Sequence, residues 1–226
     1  MSLRLILFDV DGTLVDSQND IAGAMARAFE NVGQAAPTRG AILSIVGLSL
    51  PQAMARLAPD QDGDVHSALV AAYKSAYSDR RKVLGASHSS PLYPGALEML
   101  THLAAQPDYL LGVATGKSKR GLDMLIEAHG LEGMFVTRQV ADHHPSKPHP
   151  SMIETAMAET GVARDATVMI GDTSFDMQMA HAAGVPGIGV SWGYHPPSAL
   201  GHAHTVIDAF GALPTVLNQI WTLEYE

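Results

Sequence analysis

The sequence predicts an α/β protein built on a parallel β-sheet, with a helical segment inserted near its start. Four runs have the composition of buried strands, and they alternate with helical patterns over most of the chain. Residues 18 to about 86 break this alternation, because helical patterns follow one another there without a convincing strand between them. Strands that alternate with helices are typical of parallel sheets with right-handed crossovers.

The predicted strands are continuous apolar runs, which is the pattern expected where both faces of a sheet are covered. They are LRLILF (residues 3–8), YLLGVAT (109–115), ATVMIGD (166–172) and GVPGIGVSW (184–192). Each helical candidate between them ends near a glycine or a proline, which suits a helix stop. These candidates lie at residues 96–105, 118–129, 150–160 and 175–183.

The helical segment is predicted to be a separate domain that follows the first strand. Its main helical candidates are DIAGAMARAFENVG (20–33) and VHSALVAAYKSAY (65–77), and the flanking stretches VDSQND and SHSSPLYPG are rich in turn formers. We therefore predict a catalytic core of residues 1–16 and 88–226, and a helical cap of residues 17–87.

The composition argues against several classes of function. The net charge of -9 disfavours nucleic-acid binding, because phosphate contacts need clustered Lys and Arg, and the basic cluster at residues 79–82 is expected to be a solvated helix end. Without cysteine there are no disulfides, thiol chemistry or thiolate metal sites. No signal peptide is evident, and no apolar run approaches the roughly 18 residues of a membrane span. We therefore expect a soluble, cytoplasmic protein without a membrane partner; the sequence does not predict its oligomeric state.

Polar side chains follow three of the predicted strands at the point where each strand ends. They are Asp9 and Asp11 after the first strand, Thr115, Gly116 and Lys117 after the second, and Asp172 and Asp176 after the third. Lys147 lies between the second and third strands, in the loop SKPHP. Because the carboxyl ends of parallel strands share one edge of a sheet, we expect these side chains to converge.

Converging carboxylates predict a bound divalent cation. Two carboxylates at 4 Å would repel each other by about 4 kcal/mol at an effective dielectric constant near 20. A divalent cation removes this penalty, and a ligand set made only of oxygen atoms suits Mg²⁺.

A metal, a lysine and a hydroxyl at one site indicate a phosphoryl group as the substrate. Asp9 could attack the phosphorus to form an aspartyl-phosphate, since nearby cations make the approach of two anions feasible. Asp11 could protonate the leaving alkoxide and then deprotonate the hydrolytic water. Gly12 would let the backbone approach the phosphoryl oxygens closely.

Four motifs in order carry a resemblance to a known family. FDVDGTLVDS, VATGK, SKPHP and GDTSFDM resemble the motifs of the haloacid dehalogenase-like hydrolase superfamily. The helical segment resembles the α-helical cap of one subclass, in the branch of the phosphoglycolate phosphatases, and the resemblance covers nearly the whole chain. It implies a Rossmann-like parallel sheet with helices on both faces and an inserted α-helical cap domain.

The resemblance also implies a role for each matching residue. Asp9 corresponds to the nucleophile and a Mg²⁺ ligand, and Asp11 to the general acid and base, whose backbone carbonyl also binds the metal. The remaining assignments are phosphate binding by Thr115, Gly116 and Lys147, metal binding by Asp172, and positioning of Lys147 or of a metal-bound water by Asp176.

The cap supplies further candidates. Its VGLSL segment (46–50) resembles the substrate-facing loop of related caps, which makes Gly47 and Ser49 candidates for substrate contacts. Other polar cap residues that could meet a substrate are Arg39, Arg56, Tyr73 and Arg80.

Simpler interpretations of several residues stay open. Thr115 could cap the helix that follows it, Asp176 could be a first-turn acid favoured by the helix dipole, and Lys147 could be an exposed loop lysine. Lys117 and Lys119 are expected to be surface residues at the start of a helix.

Phosphomonoester hydrolysis is the reaction that the resemblance favours. Haloacid dehalogenases and phosphonoacetaldehyde hydrolases generally lack an acid at the position of Asp11. Sugar phosphomutases usually carry a histidine after the first motif, where this chain has SQNDIAGAM. We therefore predict a Mg²⁺-dependent phosphatase of a small phosphorylated metabolite such as phosphoglycolate. The alternatives are a pyrophosphatase or nucleotide phosphatase on the same scaffold, and a non-catalytic relative that binds phosphoesters.

Overall fold

The central β-sheet of the computed structural model has six parallel strands within residues 3–222, the part of the chain that the structure describes, apart from the side chains at positions 81, 83, 84 and 86. The strands are β1 (Arg4–Phe8), β2 (Tyr109–Thr115), β3 (Thr137–Val140), β4 (Thr167–Gly171), β5 (Gly187–Val190) and β6 (Thr205–Ile207). Their order across the sheet is β3–β2–β1–β4–β5–β6, which is that of a doubly wound, Rossmann-like fold. The predicted α/β fold class is therefore confirmed.

Helices make up most of the remaining described structure. They are α1 (Gln18–Asn31), α2 (Arg39–Leu43), α3 (Leu50–Leu57), α4 (Gly63–Leu84), α5 (Ala86–Ser89), α6 (Ala96–Ala104), α7 (Lys119–His129), α8 (Ser151–Thr160), α9 (Ser174–Ala183) and α10 (Leu213–Thr222). The four helices predicted after the insertion match α6 to α9 to within one residue at either end. No helix within residues 3–222 is both long enough and apolar enough to cross a membrane.

Strand β1 shows why its sequence is apolar without alternation. Leu5 and Leu7 pack in a cluster with α8 and α9, whereas Ile6 and Phe8 pack in a second cluster with α6, α7 and α10. Because alternate side chains on a strand point to opposite faces, a strand with helices on both sides must be apolar at every position. All four side chains are completely buried.

The helices α1 to α4 have an apolar cluster of their own. It includes Ile21, Met25, Phe29, Ile42, Met54, Leu69 and Tyr73. Phe175 from α9 is buried in the same cluster, and the Arg56 guanidinium carbon lies 5.1 Å from its ring centroid. The His195 ring packs edge-on against the Phe175 ring, with the two ring centroids 5.4 Å apart. His195 Nε2 lies 3.2 Å from the Ser44 carbonyl oxygen. Phe175 and His195 therefore join the inserted helices to the sheet domain.

The inserted segment leaves and rejoins the core at adjacent points of the structure. Val15, shortly before α1, forms a bridge with Leu92, which lies shortly after α5. Within the described residues there is no strand between α1 and α5, in agreement with the helical pattern. The domain boundaries after residues 16 and 87 stay predictions.

The sequence patterns did not predict strands β3 and β6 or helix α10. Both strands lie at the edges of the sheet, and β3 has the sequence TRQV, in which three of the four residues are polar. Edge strands are commonly short and often carry charged side chains, which limit pairing with another chain. Neither strand therefore carries the continuous apolar run that predicts the central ones.

The basic cluster at residues 79–82 is only partly the solvated helix end that was expected. Lys82 and Asp79 are exposed and pair with each other at 3.2 Å. Arg80 instead places Nη2 3.0 Å from Oδ1 of Asp20, whose side chain is 2% exposed. This pair compensates for the burial of the Asp20 carboxylate. The Arg81 side chain lies outside the described part of the structure.

Replacing Phe175 by alanine should lower the free energy of unfolding by about 3–5 kcal/mol, because a buried ring leaves a cavity at the junction between the inserted helices and the core. Denaturation in guanidinium chloride measures this change. Val136→Ala is the matched control, since Val136 is 57% exposed and its truncation should change stability by less than about 0.5 kcal/mol. Equal effects of the two substitutions would contradict the role given to Phe175.

Candidate active site

The predicted site residues meet at the carboxyl ends of β1, β2 and β4. β1 lies between the other two strands, so the direction of winding reverses beside it, and open α/β sheets bind ligands at such a point. Asp9 follows β1, Thr115 ends β2 and Asp172 follows β4. The three side chains are buried.

Lys147 is a completely buried ammonium between two carboxylates. Its Nζ lies 2.9 Å from Oδ1 of Asp9 and 2.6 Å from Oδ1 of Asp176. Burial disfavours the ammonium, but Asp176 and Asp9 outweigh this effect and raise the pKa of Lys147 above its usual range. The alternative that Lys147 is an exposed loop lysine is therefore wrong.

Asp176 has two structural partners, one for each carboxylate oxygen. Oδ1 accepts the hydrogen bond from Lys147, and Oδ2 accepts hydrogen bonds from the Thr173 backbone N–H at 3.0 Å and from its hydroxyl at 2.6 Å. Thr173 and Asp176 thus form a capping box at the start of α9. Asp176 is a first-turn helix acid and a partner of Lys147 at the same time.

Asp9 is a buried carboxylate with an unused acceptor. Its Oδ2 has no hydrogen-bond partner among the described residues. Burial raises the pKa of Asp9 from 3.8 to about 7, although the Lys147 ammonium opposes the rise. An orphaned carboxylate oxygen is costly in a protein interior unless a cation or a ligand meets it.

Asp172 is held by groups from two distant segments. Its Oδ1 accepts a hydrogen bond from the Thr13 hydroxyl at 3.0 Å, and its Oδ2 accepts one from the Tyr194 backbone N–H at 2.8 Å. Glycines at positions 12 and 193 leave room for this carboxylate, since a Cβ on either one would overlap its side chain. Burial and the neighbouring Asp176 raise the pKa of Asp172 well above its usual value.

The donor set at this edge fits a hard divalent cation. Asp9, Asp172 and Asp176 each offer one oxygen, and these three atoms lie within 4.8 Å of one another. Asp176 accepts the Lys147 ammonium on one oxygen and two hydrogen bonds on the other. Each Asp172 oxygen accepts one hydrogen bond from an uncharged donor, and Asp9 Oδ2 accepts none, which makes Asp9 and Asp172 the better side-chain ligands. Carboxylate oxygens without nitrogen or sulfur ligands suit hard divalent cations such as Mg²⁺, Ca²⁺ and Mn²⁺.

Asp11 is held by Ser17 and Lys117. Its Oδ1 accepts a hydrogen bond from the Ser17 hydroxyl at 2.5 Å and lies 2.9 Å from Lys117 Nζ. The expectation that Lys117 is a surface residue is wrong, because this ion pair compensates for burial of its ammonium and the side chain is only 7% exposed. Lys119, by contrast, is 62% exposed, as expected.

Thr115 and Gly116 form the turn that follows β2. The Thr115 hydroxyl oxygen accepts a hydrogen bond from the Lys117 backbone N–H at 3.1 Å, whereas the cap of α7 is Ser118. The alternative that Thr115 caps the helix is therefore wrong. Gly116 lies against the insertion, and a Cβ on it would come within 2.5 Å of the Gly47 carbonyl oxygen.

A cavity of about 380 Å³ lies over this edge, between the core and the inserted helices. Asp9, Asp11, Thr115 and Gly116 line it from the core, and Gly47 lines it from the insertion. The three remaining predicted site residues of the core are completely buried and do not line the cavity; they are Lys147, Asp172 and Asp176.

Ser49 lies beside the cavity without lining it. Its backbone N–H donates a hydrogen bond to the Ser146 hydroxyl at 2.8 Å, so this residue joins the insertion to the core. The roles of Gly47 and Ser49 in substrate contact stay predictions.

Three of the four other polar candidates of the cap are engaged elsewhere. Arg39 donates hydrogen bonds of 2.7 and 3.0 Å to two side chains of α1, Arg56 covers the ring of Phe175, and Arg80 pairs with Asp20. The fourth candidate, Tyr73, lines the cavity.

Thr13, Ser17 and Tyr194 are site residues that the sequence patterns did not single out. Thr13 and Ser17 lie in the same stretch as Asp9 and Asp11, so their closeness in sequence to these acids could have identified them as site residues. Tyr194 donates its backbone N–H to Asp172 and hydrogen-bonds to Ser17 through its hydroxyl. It is remote in sequence from both partners, and no local pattern predicts it.

Replacing Gly12 by alanine should lower the free energy of unfolding by about 2 kcal/mol or more. Its φ is +89°, and an added Cβ would overlap the Asp172 carboxylate. Gly40→Ala is the matched control, because Gly40 lies in α2 with open space around it and alanine there should stabilise by about 0.5–1 kcal/mol. Urea denaturation compares the two, and a neutral Gly12→Ala would rule out this account of the turn.

The buried acids predict a pH-dependent stability when metal is removed with EDTA. Since the pKa of Asp9 is raised to about 7, the native state retains a proton that the unfolded state has already released. The free energy of unfolding should therefore fall, by roughly 2–4 kcal/mol, as the pH rises from about 4 to about 7. Chemical denaturation across this range measures the slope, which Asp9→Asn should reduce, while the raised pKa of Asp172 retains part of it. An identical slope in the variant would contradict the assignment.

Comparisons with known proteins agree with this geometry. The model of the haloacid dehalogenase-like hydrolase family matches residues 6–190. The "Probable phosphatase IndB" of Dickeya dadantii is 37% identical over 212 residues, which cover 91% of this chain and 90% of that protein. The phosphoglycolate phosphatase of Rhodospirillum rubrum is 32% identical over 221 residues, which cover 93% and 89%. The solved structure of a hydrolase from Pseudomonas syringae has the same fold, with a TM-score of 0.83, 23% identity and coverage of 97% and 99%. The chain therefore belongs to the haloacid dehalogenase-like hydrolase family.

Proposed function

We propose that this hydrolase is a Mg²⁺-dependent phosphatase that cleaves a phosphomonoester through an aspartyl-phosphate. The observation that supports the proposal is the environment of the Asp9 carboxylate. Its carboxylate lines the cavity, is paired with the buried Lys147 at 2.9 Å, and leaves Oδ2 without a hydrogen bond. The names of the relatives in Dickeya dadantii and Rhodospirillum rubrum, both phosphatases, support the same reaction.

Asp9, Asp172 and the backbone carbonyl of Asp11 would hold the Mg²⁺. When bound, the cation neutralises charge on the phosphoryl group and on the acids around it, which lets one anion attack another. Asp176, with both oxygens engaged, serves to position Lys147.

In the first step, a carboxylate oxygen of Asp9 attacks the phosphorus and the bond from phosphorus to the alcohol oxygen breaks. Asp11 transfers a proton to this oxygen, so that the alcohol leaves neutral. The Lys147 ammonium, the Thr115 hydroxyl and the Gly116 backbone N–H bind the phosphoryl oxygens that do not react. These donors stabilise the charge that develops in the transition state.

In the second step, water attacks the phosphorus of the aspartyl-phosphate. Asp11, now ionised, accepts a proton from this water, and the bond from phosphorus to Asp9 breaks to release inorganic phosphate. The same residue thus acts as acid and then as base. The contacts of Asp11 with Ser17 and Lys117 restrict its carboxylate to one position beside the cavity.

The substrate is expected to be a small phosphorylated metabolite. Phosphoglycolate is the first compound to test, because the relative in Rhodospirillum rubrum is named for it. The net charge of -9 disfavours nucleic acid as a partner. The cytoplasmic location stays a prediction.

Phosphate release from a panel of phosphorylated metabolites, with Mg²⁺ or with EDTA, tests the reaction. The panel includes phosphoglycolate, sugar phosphates, nucleotides and pyrophosphate. Turnover should require Mg²⁺, and Asp9→Asn should lower kcat by a factor of about 10³ or more, since it removes the nucleophile. Asp165→Asn is the matched control, because Asp165 is exposed and remote from the cavity. Binding without turnover of any compound would leave only the phosphoester-binding alternative.

The covalent intermediate can be trapped in an Asp11→Asn variant. With 4-nitrophenyl phosphate, whose leaving group needs no protonation, the first step should proceed while the second lacks its base. Mass spectrometry after rapid acid quench should then find one phosphoryl group on the peptide that contains Asp9. Rapid turnover of the variant with an unmodified peptide would contradict the aspartyl-phosphate.

A further inference from the structure

The cavity is lined by polar residues at its core end and mostly by apolar residues at the end within the insertion. The acids and Thr115 lie at the core end, whereas the part within the insertion has apolar walls. Those walls include Ile21, Met25, Ile45, Leu48, Leu50 and Ala53. The volume of about 380 Å³ lies in the range of pockets that enclose drug-sized ligands, about 300–1,000 Å³.

Two tyrosines of α4 form an aromatic wall in this apolar part. Tyr73 and Tyr77 are one helical turn apart, with ring centroids separated by 5.7 Å and ring planes at 22°, and both line the cavity. The Tyr73 side chain is mostly buried. Burial raises the pKa of Tyr73, so its hydroxyl stays protonated and available as a donor.

The charges that line the cavity do not favour a substrate with a short acidic chain. Lys117 is committed to Asp11 at 2.9 Å. The other cations of the lining, Lys74 and Arg120, are exposed, so an ion pair with them would be solvated and weak. The candidate arginines of the cap, which are Arg39, Arg56 and Arg80, each contact another side chain outside the cavity. The carboxylate of glycolate would therefore lie between apolar walls without a buried partner, which is unfavourable.

We infer that the substrate is a phosphomonoester of an alcohol that carries a planar, largely apolar ring, which packs against the wall formed by Tyr73 and Tyr77. This inference rests on the proposed phosphatase function and names its substrate class. The ring removes the apolar walls from water, and the Tyr73 hydroxyl donates to a polar atom on or near the ring. A two-carbon leaving group would leave most of this surface without contact.

Matched alkyl phosphates test the inference without the bias of an activated leaving group. 2-Phenylethyl phosphate and ethyl phosphate both release a primary alcohol, so the ratio of their kcat/KM values reports the contribution of the ring. Burial of the ring predicts a ratio of about ten to a hundred, and phosphoglycolate should be hydrolysed less efficiently than the phenylethyl ester. A ratio near one, or a preference for phosphoglycolate, would overturn the inference and leave the phosphatase function intact. No hydrolysis of any ester would instead contradict the proposed function.

Tyr73→Ala should lower the ratio of phenylethyl to ethyl ester about tenfold, because it removes half of the aromatic wall. Tyr109→Ala is the matched control, since Tyr109 packs against Trp221 away from the cavity, and it should leave the ratio unchanged. An unchanged ratio in Tyr73→Ala would exclude the aromatic wall as the binding surface. If Tyr73→Ala does not fold, inhibition of Tyr73→Phe by ring-bearing alcohols gives the second measurement. Inhibition should weaken for alcohols with a hydrogen-bond acceptor on the ring and stay unchanged for those without one, and equal changes for both would overturn the role given to the Tyr73 hydroxyl.

Discussion

The burial of three neighbouring carboxylates, two of which are paired with the Lys147 ammonium, is the constraint on which the site depends. Asp9, Asp172 and Asp176 lie in an interior where charge is costly, and one ammonium cannot neutralise all of them. The structure meets this cost with hydrogen bonds to Asp172 and Asp176 and leaves Asp9 incompletely satisfied. A site with excess negative charge and an orphaned acceptor is one that a divalent cation and a phosphoryl group would complete.

The inserted helices place an apolar surface opposite these acids. The junction is close, since Gly116 of the core faces the Gly47 carbonyl and Ser49 bonds to the core, while Phe175 is buried among the inserted helices. We therefore propose that the core end of the cavity contains the reacting groups and that the insertion contains the surface that meets the remainder of the substrate. On this proposal, chemistry and selectivity are located on different parts of the chain.

Much of the fold could be predicted because its signals are local. A strand buried on both faces must be apolar throughout, so β1, β2, β4 and β5 could be recognised from composition. The edge strands β3 and β6 lack this requirement and left no comparable pattern. Helices α6 to α9 end at glycines or near a proline, which made their ends predictable to within one residue.

The sequence by itself determined which reactive groups stand at the strand ends, because a stretch such as LILFDVDGT contains both the apolar run of the strand and the acids that follow it. Only the tertiary structure decided which of these groups pair. Lys117 forms an ion pair with Asp11, and the cap residues Arg39 and Arg80 bind side chains that do not line the cavity. The tertiary structure also decided the character of the cavity, which combines residues that follow β1 with residues of β2, α1, α3, α4 and α7. The physical reason is that burial and pairing energies depend on distances between segments far apart in the chain, and no local pattern encodes those distances.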